Sequence, residues 1–199
     1  MGSAEFLKGR NVFVPCATGF IGCCIVESLL DSGADVTILV RDLCLTPALK
    51  FVSNIYSKLK SVVLGDLTDL SIVERIFNEY EIDTCFHLAA QTIVGVAKRS
   101  PPSTFESNIK GTWNMLEAAR NSRNVERVIV ASSDKAYGEP IELPIAESHP
   151  LLASYPYEAS KACADILART YFKTYGLPVA VTRCSNVYGG RDLNFSRIV

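Results

Sequence analysis

Two short stretches carry the residue types of acid–base chemistry, "SSDKAYG" at 132–138 and "YEASK" at 157–161. Tyrosine and lysine four apart share one face of a helix. There an ammonium lowers the pKa of a phenol until it works as a base near neutrality. Tyr157 and Lys161 have that spacing, and Ser133, closing a neighbouring strand, would hydrogen-bond the same substrate oxygen. Asp134 and Lys135 follow the serine and add a carboxyl and an amine. Tyr-x-x-x-Lys alone is common by chance, so its weight depends on where the fold puts it.

The elements that must position these residues show in the hydrophobic pattern. Short apolar runs at 11–14, 35–40, 60–64, 84–89, 127–132 and 178–184 are apolar on both faces, as strands buried between two helical layers are. Helical spacing spans Gly19–Ser32, Leu70–Tyr80, Pro102–Asn121 and Tyr155–Tyr175. Leu43–Ser57 is also read as helix. Strand and helix in alternation imply right-handed crossovers. The predicted fold is α/β, a Rossmann-like doubly wound parallel sheet of six strands flanked by helices, in a single domain over residues 1–199. The irregular stretch Tyr137–Ser154, with Pro140, Pro144 and Pro150, follows a strand's carboxyl end, where open α/β sheets place ligands.

The first strand runs into "VPCATGFIGCC", which keeps two glycines of a dinucleotide-binding loop. Gly19 would let the backbone approach a pyrophosphate and Gly22 would let helix and strand pack closely. The amides of Phe20 and Ile21 would face the phosphates at the helix N-terminus. Cys16 stands where the first glycine belongs, with Pro15 before it, so the spacing predicts a modified loop with weakened binding. The second strand ends in Arg41 and Asp42, about 20 residues on, where a ribose-binding group is expected. Arg41 suits a 2′-phosphate or adenine and Asp42 suits ribose hydroxyls, which leaves NAD and NADP both open. "GDLTD" supplies Asp66 and Leu67, and Asp66 is a candidate acceptor for the adenine amino group. "HLAAQ" supplies Leu88, Ala89, Ala90 and Gln91, small or neutral residues that leave room for the dinucleotide. His87 is read as satisfying a hydrogen bond in the core.

Composition narrows the remaining classes. The 199 residues are 48% hydrophobic and 21% charged, as in an ordinary globular protein. A net charge of -1 gives no basic footprint for nucleic acid or an anionic membrane, and no run approaches the roughly 18 apolar residues of a spanning helix. Seven cysteines, an odd number without a paired CxxC pattern, read as reduced thiols of a cytoplasmic protein. With only two histidines, no metal site is expected.

Taken together, "ATGFIG", "GDLTD", "HLAAQ", "NIKGTWNMLEAAR", "SSDKAYG", "YEASK" and "RCSNVYGGRDLNFSRIV" resemble the extended short-chain dehydrogenase/reductase family, in its nucleotide-sugar epimerase and dehydratase branch. The resemblance implies an NAD-dependent enzyme acting on a nucleotide sugar, with NADP as the alternative cofactor. Tyr157 is then the base for the sugar C4 hydroxyl, while hydride passes to the cofactor. Lys161 tunes Tyr157 and holds the nicotinamide ribose, Ser133 orients the C4 oxygen, and Asn186 contacts the substrate phosphates. The pair Asp134–Lys135 is similar to that of CDP-glucose 4,6-dehydratases, which implies C4 oxidation, loss of water across C5 and C6, and a CDP-hexose substrate. Lys135 would take the C5 proton, or would simply pair with Asp134. An epimerase or reductase of the same branch, or a non-catalytic dinucleotide-binding module, is the alternative.

The resemblance also implies a smaller C-terminal substrate domain, which is expected to be absent from this chain. It further implies a homodimer through the 102–121 and 155–175 helices, with Phe105, Trp113, Leu116 and Tyr171 as contact candidates.

Overall fold

A computed structural model describes residues 3–42, 55–140, 142–190 and 192. Six parallel strands form one sheet: β1 Asn11–Pro15, β2 Asp35–Val40, β3 Ser61–Leu64, β4 Thr84–His87, β5 Arg127–Ala131 and β6 Val179–Thr182. Their order is β3-β2-β1-β4-β5-β6. Connections therefore reverse direction between β1 and β4, and this switch point opens a crevice at the strands' carboxyl ends.

Helices cover both faces, and each strand's alternation decides what meets which. Val12 and Val14 of β1, with Val36, Ile38 and Val40 of β2, pack against Val26 and Leu29 of one helix, Phe20–Asp31. Phe13, Leu39, Cys85, Val128 and Val130 point the other way, into Val73, Ile76 and Phe77 of the helix Leu70–Glu79 and Met115 and Leu116 of the helix Gly111–Asn121. In chain order the helices are α1 Ser3–Leu7, α2 Phe20–Asp31, α3 Leu70–Glu79, α4 Val94–Arg99, α5 Pro101–Phe105, α6 Gly111–Asn121 and α7 Pro156–Tyr175.

Local chemistry fixes the helix ends. Asp69 accepts a hydrogen bond from the Ser71 amide ahead of α3, which satisfies an end donor. The Glu158 carboxylate accepts from the Ser154 and Tyr155 amides ahead of α7, Pro156 occupies its first turn, and Gly176 ends it at φ 71°. A left-handed residue there costs a glycine nothing.

Several boundaries differ from the sequence reading. The strand expected over 84–89 stops at His87, because β1 and β4 lead to helices on opposite faces and pair only at Val12–Thr84 and Phe13–Cys85. The strand expected over 178–184 stops at Thr182. Its continuation serves other partners, since the Cys184 carbonyl accepts from the Asp134 amide. The expected helix 102–121 is one helical run interrupted by a π segment, Glu106–Lys110, between α5 and α6. The short helices α1 and α4 were not anticipated. The helix expected over Leu43–Ser57 falls largely outside the described residues, apart from the start of a 3-10 turn at Tyr56–Lys58.

Candidate active site

The crevice at the switch point is a cleft of about 660 Å³, within the range of small-molecule sites. Pro15, Cys16, Thr18 and Gly19 form one wall, Leu39, Arg41, Asp42, Asp66 and Leu67 a second, and Ala89, Ala90 and Gln91 a third. The cradle is close-fitting at its base, where a Cβ on Gly22 would lie 2.1 Å from the Cys16 carbonyl oxygen. Gly19 starts α2 and brings no capping side chain to the helix end. Phe20, Ile21 and Gly22 form the first turn behind it.

Cys16 adopts φ 67°, a left-handed conformation that costs an L-residue on the order of 1–2 kcal/mol. The reading of this position as a turn built for glycine is thus visible in the backbone. The Cys16 thiol lies near the backbone amides of Gly19 and Ala90, on two walls of the cleft. Burial nevertheless pushes its pKa up, against those amides and the charges of Arg41 and Lys161.

At the adenosine end, Arg41 Nε donates to Asp42 Oδ2 at 2.7 Å and lies 4.0 Å from Asp66 Oδ2. The bond to Asp42 raises the Arg41 pKa above its usual value. Asp66 also accepts from the Thr68 amide, and Asn114 donates to the Leu67 carbonyl, which pins the loop after β3 to α6. Leu88, expected at the cofactor, is half-buried and packs against the core cluster that holds Val26 and Leu29 of α2. His87 is buried and shares a 2.8 Å hydrogen bond with Thr112. Burial drives its pKa down to about 3, helped by the Lys161 charge, so the ring is neutral at physiological pH.

At the other end, α7 lays Tyr157 and Lys161 along one face beside β5. The Lys161 side chain is almost wholly buried and its Nζ donates to the Ala131 carbonyl at 2.7 Å. Desolvation lowers its pKa to about 8, with the nearby Cys16 side chain acting in the opposite sense. Ser132 returns a bond to the Lys161 carbonyl, locking helix to strand. Ser133 is buried and caps a 3-10 turn, Asp134–Tyr137. Its hydroxyl accepts from the Lys135 amide and donates to Asp134 Oδ1 at 3.1 Å. Lys135 Nζ pairs with Asp134 Oδ2 at 3.2 Å, and the Lys135 side chain is 47% exposed. Asn186 is exposed in the irregular segment after β6.

A polar core joins the two ends. Asn108, buried in the π segment, accepts from the Gln91 amide at 2.6 Å and donates to the Gln91 carbonyl and to Ser160 Oγ. Ser160 in turn donates to the Tyr157 carbonyl. One side chain thus fastens the loop after β4 to the helix that carries Tyr157.

The family model described as GDP-mannose 4,6 dehydratase matches residues 13–197. The chain belongs to that family. Among its relatives, the dTDP-glucose 4,6-dehydratase of Salmonella typhimurium is 33% identical over 90% of this chain and 55% of that protein. A trifunctional UDP-glucose 4,6-dehydratase, 3,5-epimerase and reductase of Arabidopsis thaliana is 35% identical over 92% of this chain and 28% of its own length. A dTDP-glucose 4,6-dehydratase of Streptomyces venezuelae, solved with NAD bound, superposes with a TM-score of 0.81 at 33% identity. It is matched over 90% of this chain and 56% of that one. A Thermus thermophilus UDP-glucose 4-epimerase complex with NAD gives 0.78 at 36% identity, over 90% and 56%. The chain spans about half the length of the dTDP-glucose dehydratases it matches.

Within the GDP-mannose 4,6 dehydratase family frame, the site residues read from the sequence fall into two groups. Gly19, Arg41, Asp66, Leu67, Ala89, Ala90 and Gln91 line the cleft. Ser133, Asp134, Lys135, Tyr157 and Lys161 surround the carboxyl end of β5. Sequence reasoning missed Asn108, since no local signal marks a π segment, and missed the pairing of Asp165 with Arg183 described below. Of the dimer candidates, Leu116 is fully buried and belongs to the core. Trp113 and Phe105 are exposed, and the half-buried Tyr171 donates to Glu117.

Proposed function

We propose that this chain carries the cofactor-binding and catalytic half of an NAD-dependent nucleotide-sugar 4,6-dehydratase. The observation that carries the reading is the buried Lys161 ammonium on the same helical face as Tyr157, against the strand end that presents Ser133, Asp134 and Lys135. The cleft fits a dinucleotide, with the glycine cradle at the pyrophosphate and Ala89 and Ala90 as its small-residue wall. NAD is favoured over NADP because Asp42 and Asp66 flank Arg41 and would repel a 2′-phosphate. When bound, the nicotinamide would supply a reversible two-electron acceptor for the C4 hydride, with C6 as the site of its return.

The chain's own residues handle the protons. Tyr157 removes the C4 hydroxyl proton, and Lys161, mostly charged below pH 8, stabilises the phenolate that allows it. Ser133 holds the C4 oxygen. Asp134, which accepts from Ser133 Oγ and pairs with Lys135 Nζ, takes the ion-pair proton from Lys135 and gives it to the departing C6 hydroxyl, which leaves the Lys135 amine neutral. Lys135 or a neighbour takes the C5 proton, which the C4 ketone has acidified. Asn186 binds the substrate phosphates. The Asp134–Lys135 pair supports a CDP-hexose as substrate, and the paired dTDP and UDP enzymes define the competitors to test against.

Exposure and ion pairing of Lys135 favour one other reading, a 4-epimerase in which that lysine only neutralises Asp134. Incubation with NAD and CDP-, dTDP-, UDP- and GDP-glucose separates the two. A 4-keto-6-deoxy product, lost in Tyr157→Phe with dinucleotide binding retained, supports the dehydratase. A 4-epimer instead supports the second reading. Neither product from a folded, cofactor-loaded protein overturns both.

A homodimer through α5, α6 and α7 is part of the proposal, with exposed Phe105, Trp113 and Ile166 at its centre. Sedimentation of Trp113→Glu against the parent tests it, and an unchanged monomer in both removes it. Cys16, Cys24, Cys85, Cys163 and Cys184 are thiols, which supports a reducing compartment, the cytoplasm.

A further inference from the structure

Arg183 follows β6 and its guanidinium makes four directed bonds, none to the residues named above as catalytic. Nε and Nη2 grip the two oxygens of Asp165 at 2.6 and 3.0 Å. Nη1 donates to the Tyr137 hydroxyl at 2.6 Å and to the Glu147 carbonyl at 2.8 Å. The guanidinium also lies over the Tyr137 ring, 4.9 Å from its centroid, and that ring meets His149 edge-on. Asp165 is fully buried and is held by Arg169 as well.

The partners of this side chain matter because of where they stand. Tyr157, Lys161 and Asp165 are spaced four apart, one stripe along α7. Tyr137 ends the 3-10 turn that begins at Asp134, directly after Ser133. Glu147 and His149 belong to the irregular loop between that turn and α7. Two backbone bonds run beside the guanidinium, Ser132 amide to Thr182 carbonyl and Asp134 amide to Cys184 carbonyl. The loop has little freedom at its start, since Gly138 is left-handed at φ 74° and a Cβ there would lie 2.5 Å from the Leu152 carbonyl.

We infer that Arg183 is a positioning residue: its fork fixes the Ser133–Tyr137 turn and the loop after it to the same helical stripe that carries Tyr157 and Lys161. Only arginine does this, because a planar fork serves a carboxylate bidentately while a further N–H reaches other acceptors. A lysine has no fork and cannot serve Asp165, Tyr137 and Glu147 together. The inference rests on the proposed dehydratase for its kinetic part, but its structural part stands by itself.

The test uses Arg183→Lys, which keeps the charge opposite Asp165, and Tyr137→Phe, which removes only the hydroxyl. Hydrogen exchange of residues 138–154, measured without substrate, is expected to quicken at least tenfold in Arg183→Lys and less in Tyr137→Phe, with the exchange of β1, β2 and α3 unchanged. With substrate, kcat is expected to fall more than tenfold in Arg183→Lys while dinucleotide affinity stays within twofold. Unaltered loop exchange in either folded variant overturns the inference. Faster exchange with unaltered kcat overturns the link to catalysis. Absence of turnover in the parent bears on the proposed function alone, since the exchange measurement still decides the positioning role.

Discussion

Replacing Lys161 with methionine removes a buried ammonium at nearly constant side-chain length. The folded protein holds this amine at a pKa of about 8 because burial strips its water, whereas the unfolded chain titrates it near the usual 10.5. Below pH 8 both states are protonated and the folded state bears the full cost of the buried charge. Between pH 8 and 10.5 the folded amine is neutral while the unfolded one is still charged. Stability therefore climbs with pH across that window, at about 1.36 kcal/mol per pH unit. The total is about 3 kcal/mol. The bond to the Ala131 carbonyl, lost in the methionine variant, is a nearly constant offset. The stability of the parent minus that of Lys161→Met is therefore expected to rise by about 3 kcal/mol between pH 7.5 and 10.5. Urea unfolding at half-unit steps of pH measures this, and subtraction cancels the groups common to both proteins. A flat difference, or one that rises only above pH 10, would refute the account of Lys161 as a charge held at a desolvation cost.

Three further outcomes are expected. Gly22→Ala drives a Cβ onto the Cys16 carbonyl, so it should destabilise by about 1–3 kcal/mol or more and weaken dinucleotide binding; calorimetry that finds both unchanged would remove the cradle argument. Asn108→Ala strips partners from the Gln91 amide, the Gln91 carbonyl and Ser160, and chemical denaturation should show a loss of about 2–3 kcal/mol. His87→Gln should lessen acid sensitivity, because the unfolded histidine takes up a proton below pH 6.5 while the folded one stays neutral to about 3. The parent is expected to lose about 2 kcal/mol relative to this variant between pH 7.5 and pH 5, read from urea midpoints at the two pH values.

Much of this site is written locally. The apolar runs fix six strands, since a run buried on both faces needs helical layers above and below it. The positions of Gly19, Tyr157, Lys161 and the Ser133–Lys135 turn follow from their spacing relative to those strands. Such patterns are legible because they depend on the period of one element and the chemistry of its ends. The strand that was expected to run on past His87 shows the boundary of that kind of reasoning. Its end is set by the divergence of β1 and β4 to opposite faces, a property of the assembled sheet.

What only the tertiary structure decided lies between elements distant in sequence. Asn108 reaches Gln91 and Ser160, Arg183 reaches Asp165, Tyr137 and Glu147, and the Cys16 thiol meets the Ala90 amide. Leu116 went to the core for the same reason, because which face an apolar residue presents depends on how its neighbours dock. The sequence by itself determined the sheet, its longer helices and the order of the reactive groups. The packing of α7 between β5 and the π segment decided which of those groups lost their water, and desolvation is the physical step that turns Lys161 from a surface-type ammonium into one with a pKa of about 8.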